Sequence, residues 1–325
     1  MPSLRTYRRF LAGGLLLLIG LMALDLAVGR VPVRPGDPLF LSILLDLRMP
    51  RVATALLAGA ALALSGAQMQ AVFRNPLADP HIMGVSAGAG LGAAIATLLM
   101  AGVGGGLLAG LSVSAAAFLG AGVISVAIIW AAGRLHNGST LLVFGILLGF
   151  ILSAITAILE YSANEESLKF FYIWSAGSFA GRRVAEILLL GVALILGLVL
   201  ALIGAKGLDL LLFGEDYAAL SGAPVRRIRA RAMISACLLT GATTAFCGPL
   251  GFVGIVAPHI VRRLTGTSRH ARVLPLSMIA GGILTLIADL LSQAARVPLP
   301  VGSTLALVGI PLILMIILPR KSVRT

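Results

Sequence analysis

LRMPRVATALLAGAALALSGAQMQAVFRNPLADPHIMGVSAGAG, Leu47 to Gly90, holds the reading of this chain in miniature. From Val52 to Val72 no charge interrupts an apolar run of about 20 residues, the length that crosses about 30 Å of hydrocarbon as a helix. Arg74 to Pro80 then halts it, because Pro76 and Pro80 stop helix propagation. An arginine, an asparagine, an aspartate and a histidine cluster in this turn and belong at a water interface. The chain restarts as GVSAGAGLGAA (Gly84 to Ala94), nearly without side chains, which lets helix backbones approach closely in lipid.

Runs of the same kind recur along the chain, at residues 10–29, 52–72, 82–102, 106–132, 140–159, 185–205, 229–247, 251–262, 273–293 and 302–318. Of the 325 residues, 59% are hydrophobic and 11% charged, against about a quarter charged in soluble chains. A soluble protein built from such runs would be apolar on every helix face. A β-barrel would instead show short alternating strands. The expectation is an all-α polytopic membrane protein of about ten transmembrane helices, one transmembrane domain over 1–325. MPSLRTYRRF and the apolar run after it read as a retained first helix rather than a signal peptide, since no A-x-A site follows. CGPLG (Cys247 to Gly251) breaks the long stretch 229–262, and the piece after it is short for a full span.

The net charge of +13 raises a nucleic-acid partner, but the basic residues fall in short loops between apolar runs. They read as topology signals: with the N-terminus inside, inner segments outnumber outer ones in Lys and Arg by about two to one. Both termini are then cytoplasmic, the surroundings are a lipid bilayer, and no nucleic acid is expected. LLAGAALALSG (Leu56 to Gly66) echoes LLTGATTAFCG (Leu238 to Gly248), and PHI recurs at Pro80-His81-Ile82 and Pro258-His259-Ile260. These are the second and seventh helices, five apart. They make a candidate inverted internal repeat, a transporter device with the pathway at the repeat interface.

Catalytic chemistry finds no footing. His81, His136, His259 and His270 include no pair at helical metal-binding spacing, and they read as interfacial loop histidines. No P-loop is present. Cys237 and Cys247 are ten residues apart on one apolar segment, too far for a disulfide on a helix. Asp289 reads as the one acidic residue deep in a helix and as a packing or helix-terminal aspartate. A stand-alone secondary transporter with inverted repeats is the rival reading, and it predicts ionisable residues in series across the membrane. An intramembrane enzyme is a second rival and lacks a catalytic cluster. The loop GLDLLLFGEDYAALSGAPVRRIRAR (Gly207 to Arg231) mixes apolar and acidic residues. Glu215 and Asp216 open a short helix there, where its dipole favours acids, and Gly222 with Pro224 ends it. Such a helix is either a docking surface or an amphipathic helix lying on lipid.

The stretch Leu47 to Gly90 resembles the most characteristic segment of the FecCD-type permeases, the membrane subunits of type II ABC importers for iron-siderophores, haem and cobalamin. GFVGIVAPHIVRRLTG (Gly251 to Gly266), LIADLLSQ (Leu286 to Gln293) and PLPVGSTLALVGIPLILMII (Pro298 to Ile317) resemble the same family in order along the chain. The resemblance implies a cobalamin-permease-like fold and a homodimer. It implies two ATPases that carry ATP and magnesium, and a substrate-binding protein on the outer face. This chain would bind no cofactor or metal and would perform no chemistry. A ferric siderophore is the first expected cargo, with haem and cobalamin in the same class. The segment 207–225 matches the family's ATPase-coupling region, which favours docking and singles out Leu208, Phe213, Gly214, Glu215, Ala219, Leu220 and Gly222. Arg48 and Arg51 match outward arginines that bind acids on the binding protein, as guanidinium forks suit carboxylates. Relatives often carry another arginine where this chain has Gln293, and Arg296 is the substitute here. Asn75, Leu77, Ser139 and Thr140 match cytoplasmic gate positions.

Overall fold

The computed structural model describes residues 4–29, 37–99, 113–135, 138–294 and 297–317. Among the described residues every regular element is helical. In chain order these are α1 (Leu4–Ala27), α2 (Phe40–Phe73), α3 (Val85–Ala94), α4 (Val113–Arg134), α5 (Gly138–Tyr161) and α6 (Glu165–Ser175). There follow α7 (Val184–Leu211), α8 (Glu215–Leu220), α9 (Val225–Cys247), α10 (Val253–Thr265), α11 (His270–Ala294) and α12 (Val301–Ile317).

Each of the ten apolar runs meets a helix, but only α1, α2, α4, α5, α7, α9 and α11 are long and apolar enough to span a bilayer. α3 and α12 are shorter apolar helices. α10 has 13 residues, about 20 Å of rise. It lies against α2 and α11 instead of crossing alone. α2 is longer than its apolar run predicts, because the chain stays helical from Phe40 through widened turns at Ile43–Arg48. Pro50 has no N–H for the Asp46 carbonyl, which accounts for the widening. At its other end Arg74 adopts a left-handed φ of 49° and closes the helix.

α2 is the buried axis of the molecule, packed on α7, α9, α10 and α11. Small residues make this contact: a Cβ on Gly59 would strike the Gly281 backbone of α11, and one on Gly66 would strike the Gly254 backbone of α10. Buried hydroxyls and amides tie α2 to α9. Ser65 Oγ lies 3.1 Å from Thr240 Oγ1, and Gln68 Nε2 donates to Ser235 Oγ at 2.9 Å. On the outside, α5 and α7 expose Phe150, Ile151, Leu188 and Ile195, the polarity a lipid-facing surface requires.

The echo between α2 and α9 therefore joins two central, touching helices. The PHI echo does not extend it. Pro80–Met83 is a single tight turn capped by Asp79, whereas Pro258 lies inside α10. The interfacial-loop reading of His270 is also corrected. This residue is fully buried at the start of α11, and its N–H donates 2.7 Å to Asp209 of α7.

Candidate functional site

The start of α1 and the end of α12 lie at one end of the bundle. The Arg272 guanidinium stacks 5.8 Å from the ring of Tyr7 in α1, and Arg263 reaches the Met315 carbonyl of α12 at 3.4 Å. This termini end carries the docking candidates. α7 runs on to Leu211, so the loop starts five residues later than the sequence predicts: Leu208 and Leu211 are each 1% exposed and hold the helix in the core. Leu208 is thus a buried support rather than a contact surface. Gly214, at φ +114°, makes the bend into α8. Around it Phe213 is 74% and Leu220 89% exposed, with Tyr217 and Ala219 also exposed and Gly222 turning the chain at φ +75°. Asp209, Phe213, Arg269 and Arg272 line an adjoining cleft of about 460 Å³.

The gate candidates flank this end. Asn75 Oδ1 accepts the Leu77 N–H at 2.9 Å, a turn that leaves Leu77 40% exposed. Ser139 and Thr140 are exposed on the first turn of α5. The end of α2 and the start of α5 meet, since a Cβ on Gly138 would sit 3.4 Å from the Val72 carbonyl. Asp79 caps the intervening turn through the His81 N–H at 2.9 Å, and burial pushes its carboxyl above the usual carboxylate range.

At the opposite end an ionic cluster joins α1, α2 and α11. Arg51 donates to Asp289 by Nε at 2.8 and 3.0 Å and by Nη2 at 2.6 Å. Gln293 Nε2 bridges Asp25 Oδ1 at 2.7 Å and Asp289 Oδ2 at 3.1 Å. Asp25 is 1% and Asp289 0% exposed. Arg51, expected to face outward for docking, is turned into the bundle, because the buried Asp289 needs a counter-charge. Arg48 is half-buried and donates at 2.7 and 3.0 Å to the Leu26 and Ala27 carbonyls that end α1. Arg296 lies outside the described residues. Asp289 is not the sole deep carboxylate: Asp25 shares its site, hidden in the sequence by its nearness to the end of an apolar run. Both acids sit at one level, so they form no series across the bundle. α6 was also missed, although Asn164 caps it through the Ser167 N–H at 2.8 Å and Glu165 and Glu166 open it.

No group of three His, Cys, Asp or Glu able to hold a metal occurs among the described residues. The vitamin B12 import permease BtuC of Klebsiella pneumoniae is 36% identical over 322 residues, covering 98% of this chain and 96% of BtuC. The ABC transporter permease protein YvrB of Bacillus subtilis is 36% identical over 287 residues, 87% of this chain and 80% of YvrB. A solved metal-chelate type ABC transporter in an inward-facing conformation superposes with TM-score 0.85 at 29% identity, over 95% of this chain and 99% of that one. PsaBC of Streptococcus pneumoniae shares the fold at TM-score 0.52 and 16% identity, over 84% of this chain and 91% of that one. The FecCD transport family model matches residues 15–319, nearly the whole described bundle. Family model, relatives and fold agree over this multi-pass helical bundle, and the chain belongs to the FecCD transport family.

Proposed function

We propose that two copies of this chain form the membrane pathway of an ATP-binding-cassette importer in a bacterial inner membrane. Both termini are cytoplasmic. Two ATPases, which bind the ATP and magnesium, dock on the termini end through the segment 207–225, with Phe213, Ala219 and Leu220 at its contact face and Glu215 held behind that face by Arg229. A substrate-binding protein docks on the opposite end through Arg48, with Arg296 as the second docking arginine, and Arg51 fixes the helix on which Arg48 stands. The cargo is a metal chelate, a ferric siderophore first, with haem and cobalamin as further members of the class. BtuC is named for vitamin B12, but YvrB matches at the same 36% identity without a named substrate, so identity does not select among them. Asn75, Leu77, Ser139 and Thr140 gate the cytoplasmic mouth in alternating access.

One observation carries this reading: α8 exposes large apolar side chains at the basic, termini end, in a chain whose own sequence has no P-loop. Such a surface fits a protein partner that supplies the energy. The rival secondary transporter is disfavoured because Asp25 and Asp289 are bound to Arg51 and Gln293 at one level. Reconstitution into liposomes tests the reading. Uptake of the chelate is expected only with the ATPase, ATP and the binding protein together; uptake by this chain alone overturns it.

A further inference from the structure

Five elements meet at one ion pair at the termini end. Glu215 opens α8 and binds the guanidinium of Arg229 in α9, which is 3% exposed. The same guanidinium donates 2.8 Å to the Leu135 carbonyl just beyond α4. On its other side the carboxylate faces the start of α5, where a Cβ on Gly138 would sit 3.5 Å from Glu215 Oε1. The end of α2 closes the ring: that same Cβ would meet the Val72 carbonyl at 3.4 Å, and a Cβ on Gly214 would meet the Arg74 guanidinium at 3.4 Å. The exposed docking helix is thereby bonded to α9 and, through Arg229, to the chain just beyond α4, and it lies beside the end of α2 and the start of α5, where the four gate candidates sit. Apolar contacts at such a joint slide past one another. A buried ion pair resists separation, because parting its members strands a charge in a poorly solvated site.

We propose that Glu215 and Arg229 are positioning residues that convert displacement of α8 by a docked ATPase into movement of the start of α5 and the end of α2. The inference rests on the importer reading above. Its test uses the full assembly of this chain, ATPase and binding protein in liposomes, measuring chelate imported per ATP hydrolysed. In Glu215→Gln and Arg229→Lys the complex still assembles and ATP hydrolysis stays near wild type. Import per ATP falls about tenfold, a size typical of coupling between separated sites. Arg226→Gln is the control: Arg226 binds the Gly133 carbonyl of α4 and, among the described residues, makes no ion pair, and its ratio is expected to be unchanged.

Spin labels at Asp216, exposed on α8, and Thr140 give a second measurement, independent of turnover. Adding ATP should move both labels in wild type but only the Asp216 label in Arg229→Lys. Should Glu215→Gln fail to assemble, Arg229→Lys decides the matter. A parallel fall of import and hydrolysis, an unchanged ratio, or undiminished movement at Thr140 overturns the inference. Failure of the wild-type assembly to import overturns the importer reading instead.

Discussion

Asp289 has a stronger grip on its partners than Asp25, and the difference is measurable. Asp289 accepts three bonds from Arg51 and one from Gln293, whereas Asp25 accepts one from Gln293. Removing one member of a buried pair costs about 3–5 kcal/mol, because the other is left uncompensated. Asp289→Asn should therefore lower the melting temperature of the purified protein much more than Asp25→Asn, which relieves a carboxylate beside another carboxylate. Equal losses in thermal unfolding would mean that the charge of Arg51 is balanced elsewhere. Close backbone approach makes a second residue-scale case. Gly59→Val places new atoms on Gly281 and Thr285, an overpacking expected to cost about 1–3 kcal/mol. Gly20→Ala meets nothing within 4 Å and should be silent in the same measurement.

At the scale of elements, α8 is too short to be stable alone, and its position comes from its ends. Gly214 supplies the left-handed bend, Ala218 is buried beneath, and Glu215 is bound to Arg229. Its outward face is free to serve a partner. Leu220→Asp, at 89% exposure, should leave the fold intact while weakening co-purification of the ATPase about tenfold or more, since interface anchors carry about 2 kcal/mol each. Undiminished co-purification would exclude that face. The short helix α8 itself was legible because acids at a helix start and a glycine just past its end are local signals. Leu208 was misread as loop because leucine favours both helix and interface. Only the continued packing of α7 on the core places it inside.

For the whole molecule, the apolar envelope of α5 and α7 and the small-residue interior around α2 describe a bundle that solvates itself in lipid. Import should require every component of the assembly, and omission of ATP, ATPase or binding protein should each abolish uptake into liposomes.

Hydrophobic length and proline breaks are one-dimensional, so the sequence by itself determined ten helical segments, a membrane class and the polar turn at Arg74 to Pro80. The motifs of Leu47 to Gly90 and Gly251 to Gly266 carried the family as well. Only the tertiary structure decided that Arg51 faces inward, that Asp25 and Asp289 share one site, and that Glu215 meets Arg229. These partners lie far apart in the chain: Arg51 and Asp289 are separated by 238 positions. Electrostatic pairing depends on distances of a few ångströms in space, and no local pattern records which distant helices will bring two charges that close.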